Sequence, residues 1–443
     1  MANEPQRNPL ANGCQRTRGN KARAARPGYF RQANNVEWRW CFYAYNRLRA
    51  IMRNSVQSPA PTPFRSSLKP FFFLCAVYLV AFELIAVVVF SRTGFIETAD
   101  FRCFYAAGTL ARTDPSHLYD LARQMDLQVG LVGAENGWLM FIQPPYEALR
   151  LAPFSLLSYR TAYLLMIACN IILTIPCVLL APGPFSNRID PWQPAPGLLF
   201  FVFPPFFWAI AQGQSSILLL LLSCAAWHEL ERGKNFNAGL LLALALFKLQ
   251  IVIPLAFVLI CWRGLSVLAG FAFGTGIVGV LSYWLVGLRG VRGFLNVLEQ
   301  AATAQVPSTM PNLRGLLYGL AGPYLPRFYF TILTVALSLA LLIWITTLLP
   351  RKESDVAFAL ALIAALLASY HLNSHDLTLL LLPIALLAAR PTRLFTISVI
   401  ACFALPPALL VLSGHTLFLL ALPLFALVLL AAREPVGRAT YAA

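Results

Sequence analysis

From residue 71 onward the chain alternates long apolar runs with short polar joints, and the run lengths predict an element for each. Residues 71–90 form a run of twenty, enough to cross a hydrocarbon core about 30 Å thick as one helix. Its single acid, Glu83, should face protein rather than lipid, because a charge at mid-membrane costs roughly 2.5–3.5 kcal/mol. Residues 92–158 hold no span. Within them, 101–110 and 118–131 carry apolar residues at helical spacing, the second after Asp114-Pro115-Ser116, a helix-start pattern. Two amphipathic helices lying against the membrane surface are expected. In Trp138-Leu-Met-Phe-Ile-Gln-Pro-Pro-Tyr146 the prolines break the helix and leave Gln143 beside unpaired backbone groups. Such a break is tolerated at membrane depth only against protein or water.

The remaining runs, 159–180, 196–211, 215–227, 240–247, 251–262, 265–285, 328–349, 356–370, 377–389, 394–412 and 417–432, bring the total to about twelve membrane elements. Those between 196 and 262 are short for independent spans and are joined by Gln212-Gly213-Gln214 and Lys248-Leu249-Gln250. The fold class is all-α: a polytopic integral membrane protein with amphipathic helices in its first outward-facing loop. The domains expected are a basic, mostly disordered arm over 1–69, a membrane domain over 70–433 and a tail over 434–443.

Composition agrees. Hydrophobic residues make up 58% and charged residues 12% of the chain, far from the soluble norm, so a phospholipid bilayer is the solvent. The net charge of +16 does not point to nucleic acid. Thirteen Lys and Arg precede residue 70, and others fall in short joints, where they set orientation. Residues 36–53 mix aromatics with arginines in the manner of a helix on an anionic leaflet. Alternatively, translation starts at Met52 and the arm is not used. No cleavable signal is expected, because the first apolar run begins about seventy residues in.

If the arm is cytoplasmic, alternation places Arg188, Arg232, Lys234, Arg263, Arg351, Lys352, Arg390, Arg393, Arg433 and Arg438 on the cytoplasmic side with both termini. It sends Asp100, Gln143, Gln214, Lys248, Arg314, His371, His375 and Asp376 to the opposite face. Each has a plain structural reading: Lys and Arg at helix ends snorkel, Asp100 caps the helix after it, and Asp376 starts one at Leu377. Together they make a cationic set, Lys248, Arg314, His371 and His375, opposite a carboxylate. That chemistry suits a phosphate leaving group and a base. The nine cysteines show neither paired nor metal-ligand spacing, Cys103 being the one placed outside, so neither disulfides nor zinc are expected.

Several short motifs also carry a resemblance. Asp100-Phe101 with Tyr105-Ala-Ala107, Leu118-Tyr-Asp120, Gln143-Pro-Pro-Tyr-Glu-Ala-Leu149 with Leu151-Ala-Pro-Phe154, Gly213-Gln214, Lys248-Leu-Gln250 and His375-Asp376-Leu377 resemble, in order, glycosyltransferase family 87. Members are multispanning enzymes of the GT-C fold, similar to polyprenyl-phosphate-mannose-dependent mannosyltransferases. The resemblance implies a GT-C-type helical bundle over residues 70–430 that moves a hexose, mannose by analogy, from a polyprenyl-phosphate-sugar donor to a lipid or glycan acceptor. It implies action on the outer face of the inner (plasma) membrane, without a metal or other cofactor, and with inversion. Asp100 stands where such enzymes carry their catalytic Asp or Glu, which the resemblance implies is a general base. Tyr105, Gln143, Gln214, Lys248, Gln250, Arg314, His371, His375 and Asp376 are then the substrate-binding candidates. Two other classes share the composition. A transporter or flippase of a lipid-linked sugar should show internal repeats, which this chain lacks, and a scaffold has no reason to gather polar residues on one face.

Overall fold

The computed structural model describes residues 77–86, 88, 94–181, 200, 202–304, 306–388, 392–412 and 414–433. The basic arm, Met52, residues 36–53, Arg188, Arg390 and the tail lie outside the described residues, as do nine of the twenty residues of the first apolar run, of which helix α1 is Val77–Ala86. Among the described residues every element is helical and none is a strand. The other α-helices of seven residues or more are α2 (Phe101–Thr113), α3 (Leu121–Val132), α4 (Pro145–Leu151), α5 (Tyr159–Leu180), α6 (Pro204–Ala211), α7 (Ser216–Glu231), α8 (Asn235–Leu244), α9 (Leu249–Arg263), α10 (Leu265–Ala304), α11 (Leu313–Ala321), α12 (Arg327–Leu348), α13 (Ser354–Ala368), α14 (Leu381–Leu387), α15 (Arg393–Leu412) and α16 (Ala421–Arg433).

Among the described residues five stretches are long and apolar enough to cross a membrane: Tyr159–Leu180, Leu246–Arg263, Leu265–Ala302, Arg327–Arg351 and His415–Arg433. Their outer faces expose large apolar side chains, among them Leu164, Ile172 and Leu179 on α5 and Phe328, Tyr329 and Ile332 on α12. Apolar area of that extent needs lipid. The expected run at 356–370 has a different fate. Helix α13 is fifteen residues long, about 22 Å at 1.5 Å per residue, and every residue from Val356 to Ala368 is buried. A helix apolar all round belongs inside, and α13 packs between α9, α12, α14 and α16.

The long helices run between the same two ends of the molecule. At one end the α9 C-terminus meets the α13 start, where Arg263 Nη2 donates to Ser354 Oγ at 2.8 Å. Lys352 Nζ, on the joint before α13, donates to Ala432 O of α16 at 2.7 Å. Basic joints thus cluster there. The opposite end holds the starts of α2, α7 and α9 and the segment after α13.

The first loop forms helices where alternation of polarity requires them, with two differences. Asp114 begins only a short 3-10 turn, Pro115–His117, because its carboxylate is taken by His117 Nδ1 at 2.7 Å. Helix α3 starts later, capped by Asp120, which accepts from the backbone N–H of Ala122 and Arg123. The backbone before the two prolines is not left unpaired either. Gln124 and Gln128, one turn apart on α3 and both fully buried, reach across to it. Gln128 pairs with both the N–H and the C=O of Leu139, Gln124 Oε1 accepts from Phe141 N–H at 2.9 Å, and Tyr119 OH donates to Gln143 O at 2.6 Å. Buried glutamines here stand in for a sheet partner.

Candidate active site

The site is assembled on the joint between α6 and α7. That joint turns at Gly213, whose φ of +64° suits a residue without Cβ. A Cβ there would lie 2.9 Å from Phe101 Cβ, so glycine also lets α2 dock. Phe101 N–H donates to Gln212 O at 3.1 Å, and Asp100 N–H donates to Gln212 Oε1 at 2.7 Å.

Docking brings Asp100 to Gln214, whose Nε2 donates to Asp100 Oδ2 at 2.5 Å. Although Asp100 occupies the N-cap position of α2, its side chain makes no capping hydrogen bond. The capping role weighed from sequence is therefore not what its carboxylate does. Oδ1 takes no hydrogen bond among the described residues.

From Gln214 the polar line continues inward. Lys248 Nζ, where a 3-10 turn enters α9, lies 3.4 Å from Gln214 Oε1, 3.4 Å from His375 Nε2 and 2.9 Å from Asp376 Oδ1. Ser216 Oγ donates to the same Asp376 oxygen at 2.9 Å, while Asp376 Oδ2 accepts from Asn373 N–H at 3.3 Å and closes a capping box. Asp376 thus starts its helix, as its position suggests, and also anchors Lys248. Lys248, His375 and Asp376 are each buried to 3% exposure or less, and the Asp–Lys pair makes that burial affordable. Asp100, Gln214, Lys248, His375 and Asp376, separated by up to 276 positions along the chain, form one connected array.

The other candidates stand apart from that line. Arg314 Nη1 donates to Tyr370 O at 3.1 Å, Nη2 to Ala302 O at 3.4 Å, and its guanidinium lies 3.9 Å from the centroid of the Tyr370 ring. With Asn312, which donates to Ser369 O at 2.7 Å, it fixes the turn that carries His371. His371 is half-buried with Nε2 lacking a partner. Burial pushes its pKa down to about 4, with Asp376 opposing and Lys248, His375 and Arg314 reinforcing the shift. Gln143 is buried with Oε1 unpaired. Gln250 is half-buried on the first turn of α9. Tyr105 OH donates to Leu157 O at 2.7 Å, and its ring packs edge-on against Tyr159. Among the described residues no three His, Cys, Asp or Glu side chains converge as metal ligands would.

Sequence reasoning missed the supports of the joint. Glu147, 1% exposed, pairs with Arg150 through both oxygens. Both then bond Ser215, Glu147 Oε1 at 2.9 Å and Arg150 Nη2 at 2.8 Å. Asn170 of α5 donates to Gln214 O at 3.1 Å, and Tyr163 donates to Ala211 O at 2.7 Å. The signal was present in the unbroken polar run Gln212-Gly-Gln-Ser-Ser216 between two apolar runs.

An all-helical membrane protein with a buried acid–amide–ammonium line at one end of its bundle has the make-up of an enzyme that works at a bilayer surface. The family model for glycosyltransferase family 87 matches residues 141–372, a little over half of the chain. The chain belongs to that family and is a glycosyltransferase. The matched span contains Gln143, Gln214, Lys248, Gln250, Arg314 and His371, whereas Asp100, His375 and Asp376 lie outside it. Searches of curated proteins and of solved structures returned no match.

Proposed function

We propose that this protein transfers a hexose, best assigned as mannose, from a polyprenyl-phosphate-sugar donor to a hydroxyl of a lipid or glycan acceptor. The transfer is inverting, takes place on the outer face of the cell membrane, and uses Asp100 as general base. The observation that carries this reading is the line from Asp100 through Gln214 to Lys248, His375 and Asp376.

Gln214 holds one carboxylate oxygen of Asp100 and leaves Oδ1 to accept the proton of the incoming hydroxyl as its oxygen attacks the anomeric carbon. The bond from that carbon to the phosphate oxygen breaks on the opposite side of the sugar, and the electron pair leaves with the lipid phosphate. Lys248 and His375 are the groups that meet this developing charge. Two carboxylates and one ammonium leave the array itself short of positive charge, so the phosphate is best met where Arg314 and the turn it holds add to the field. Of the roles drawn from sequence, Arg314 fits better as the strut of that turn than as a direct phosphate ligand, because its donors already serve backbone carbonyls. Purified protein incubated with radiolabelled polyprenyl-phosphate mannose and membrane lipid extract should move label to the extract. Label that stays on the donor with every extract and every sugar tried would end the proposal.

A further inference from the structure

Tyr119, whose ring stacks on that of Phe141, borders an open cavity of about 500 Å³. It is lined on one side by Ser116, His117, Tyr119 and Asp120 of the first loop, and on the other by α10. We propose that this cavity binds the phosphate group of an anionic membrane lipid, separately from the transfer chemistry.

Helix α10 leaves its helical path at Gly287, φ +62° and ψ −172°, and resumes at a new angle. On the resumed segment Arg289, Arg292, Gly293 and Asn296 all line the cavity, a spacing of three, four and seven that puts them on one face. Gly293 lets that face close on the loop, since a Cβ there would sit 3.0 Å from Tyr119 Cβ.

The charges across the cavity do not cancel these arginines. Asp120, whose Oδ1 caps α3, sets one negative charge against the two arginines, and Asp114, next to the lining, is held by His117 at 2.7 Å and by Arg123 at 3.4 Å. Among the described residues neither Arg289 nor Arg292 has a carboxylate within ion-pair distance. Two unpaired guanidinium groups one turn apart, with the hydroxyl of Ser116 and the amide of Asn296 nearby, match the oxygens of a phosphate.

Position decides between a lipid and a free ion. Tyr283 and Trp284, 58% and 77% exposed, lie within one turn before the kink, as aromatic residues do at a membrane interface. Leu288 forms part of the cavity rim and gives acyl chains a surface. The two arginines also sit at the end of α10 away from Arg263, where orientation rules favour few cations. Simple snorkelling would explain exposed arginines, but not their convergence with the first loop around a cavity.

The test uses the full chain, delipidated in an uncharged detergent, with native mass spectrometry following the first lipid bound. Dioctanoyl phosphatidylglycerol should bind more tightly than dioctanoyl phosphatidylcholine. Arg289→Gln with Arg292→Gln should weaken the phosphatidylglycerol by about ten- to a hundredfold, while Arg327→Gln, an exposed cation on the same end, should not. Asn296→Leu, which narrows the cavity and keeps both arginines, should weaken it too and stands in should the double variant fail to fold. Inorganic phosphate binding as tightly as the lipid, and lost in the same variants, would replace the lipid with a free ion. Lipid binding unchanged in the double variant, or equally reduced by Arg327→Gln, would overturn the site.

Discussion

At the scale of single residues the proposed chemistry turns on Asp100, and one isosteric change separates base from cap. Asn serves a cap as well as Asp does, and the Asp100 carboxylate makes no capping bond. Asp100→Asn should therefore fold and still bind donor while transfer drops by about 10²–10⁴-fold, the usual worth of a general base. Near wild-type transfer by a purified Asp100→Asn protein would move the search for the base to Asp376 or His375. Lys248 makes a second test, because it has two roles that can be pulled apart. Lys248→Gln removes a charged donor and should weaken donor binding by about one to two decades. It also strands the buried Asp376 and should cost about 3–5 kcal/mol of stability. Adding Asp376→Asn should restore most of the stability and none of the donor affinity; recovery of both would make the pair purely structural. His371 supplies a pH test. Its folded pKa of about 4 lies below the ordinary value of about 6.5, so between these values the unfolded chain binds the proton and the folded one resists it. The stability it supports is whole above about pH 6.5 and falls as the pH drops toward 4. His371→Gln should flatten that stretch of the unfolding profile measured in detergent, and an unchanged slope would clear His371 of the effect.

At the scale of elements, helices were the most legible feature of the sequence and joints the least. The runs expected at 159–180, 328–349 and 394–412 are helices within one or two residues, because twenty apolar residues in a row have few other uses. What failed was local and polar. Asp114-Pro115-Ser116 reads as a helix start, but Asp114, seven places before α3, spends its oxygen on His117 instead. Gln143 reads as the neighbour of stranded backbone, but Gln124 and Gln128 supply the partners, and no short-range pattern says where a buried amide will reach. The members of the array were legible in sequence as residue types. Its connectivity was not, since Gln214 acts through Asp100 and Lys248, each brought from a different helix. Gly213 concentrates the difficulty: in sequence it is half of a two-residue motif, while in the fold it is the point where α2 meets the joint. Gly213→Ala should cost about 1–3 kcal/mol for its left-handed backbone, with more from the 2.9 Å approach to Phe101. Because it displaces Phe101 and hence Asp100, transfer per folded molecule should fall as well. A variant that lost stability but kept its specific rate would show that the joint does not position the base.

At the scale of the whole molecule the fold gathers basic joints at one end and the array at the other. Charge bias alone put the basic joints together on one side. In the fold Arg263 reaches Ser354, Lys352 reaches Ala432 and Arg263 approaches Glu231 at 3.9 Å, so joints far apart in sequence share one end. Asp100 and Lys248 begin helices at the other. One labelling result therefore orients every element at once, where sequence alone would have needed each joint tested. Cysteines are best placed where the chain is exposed: Lys234 and Arg351 at the basic end, Ser116 and Tyr324 at the end of the array. Asn312, before α11, is fully buried and would report burial instead of sidedness. In a background with the native cysteines replaced, a membrane-impermeant maleimide added to intact cells should label Ser116→Cys and Tyr324→Cys. It should spare Lys234→Cys and Arg351→Cys until the cells are broken. The reverse pattern would put Asp100 on the cytoplasmic side, where soluble nucleotide-sugars are available, and would remove the main reason for a lipid-phosphate donor.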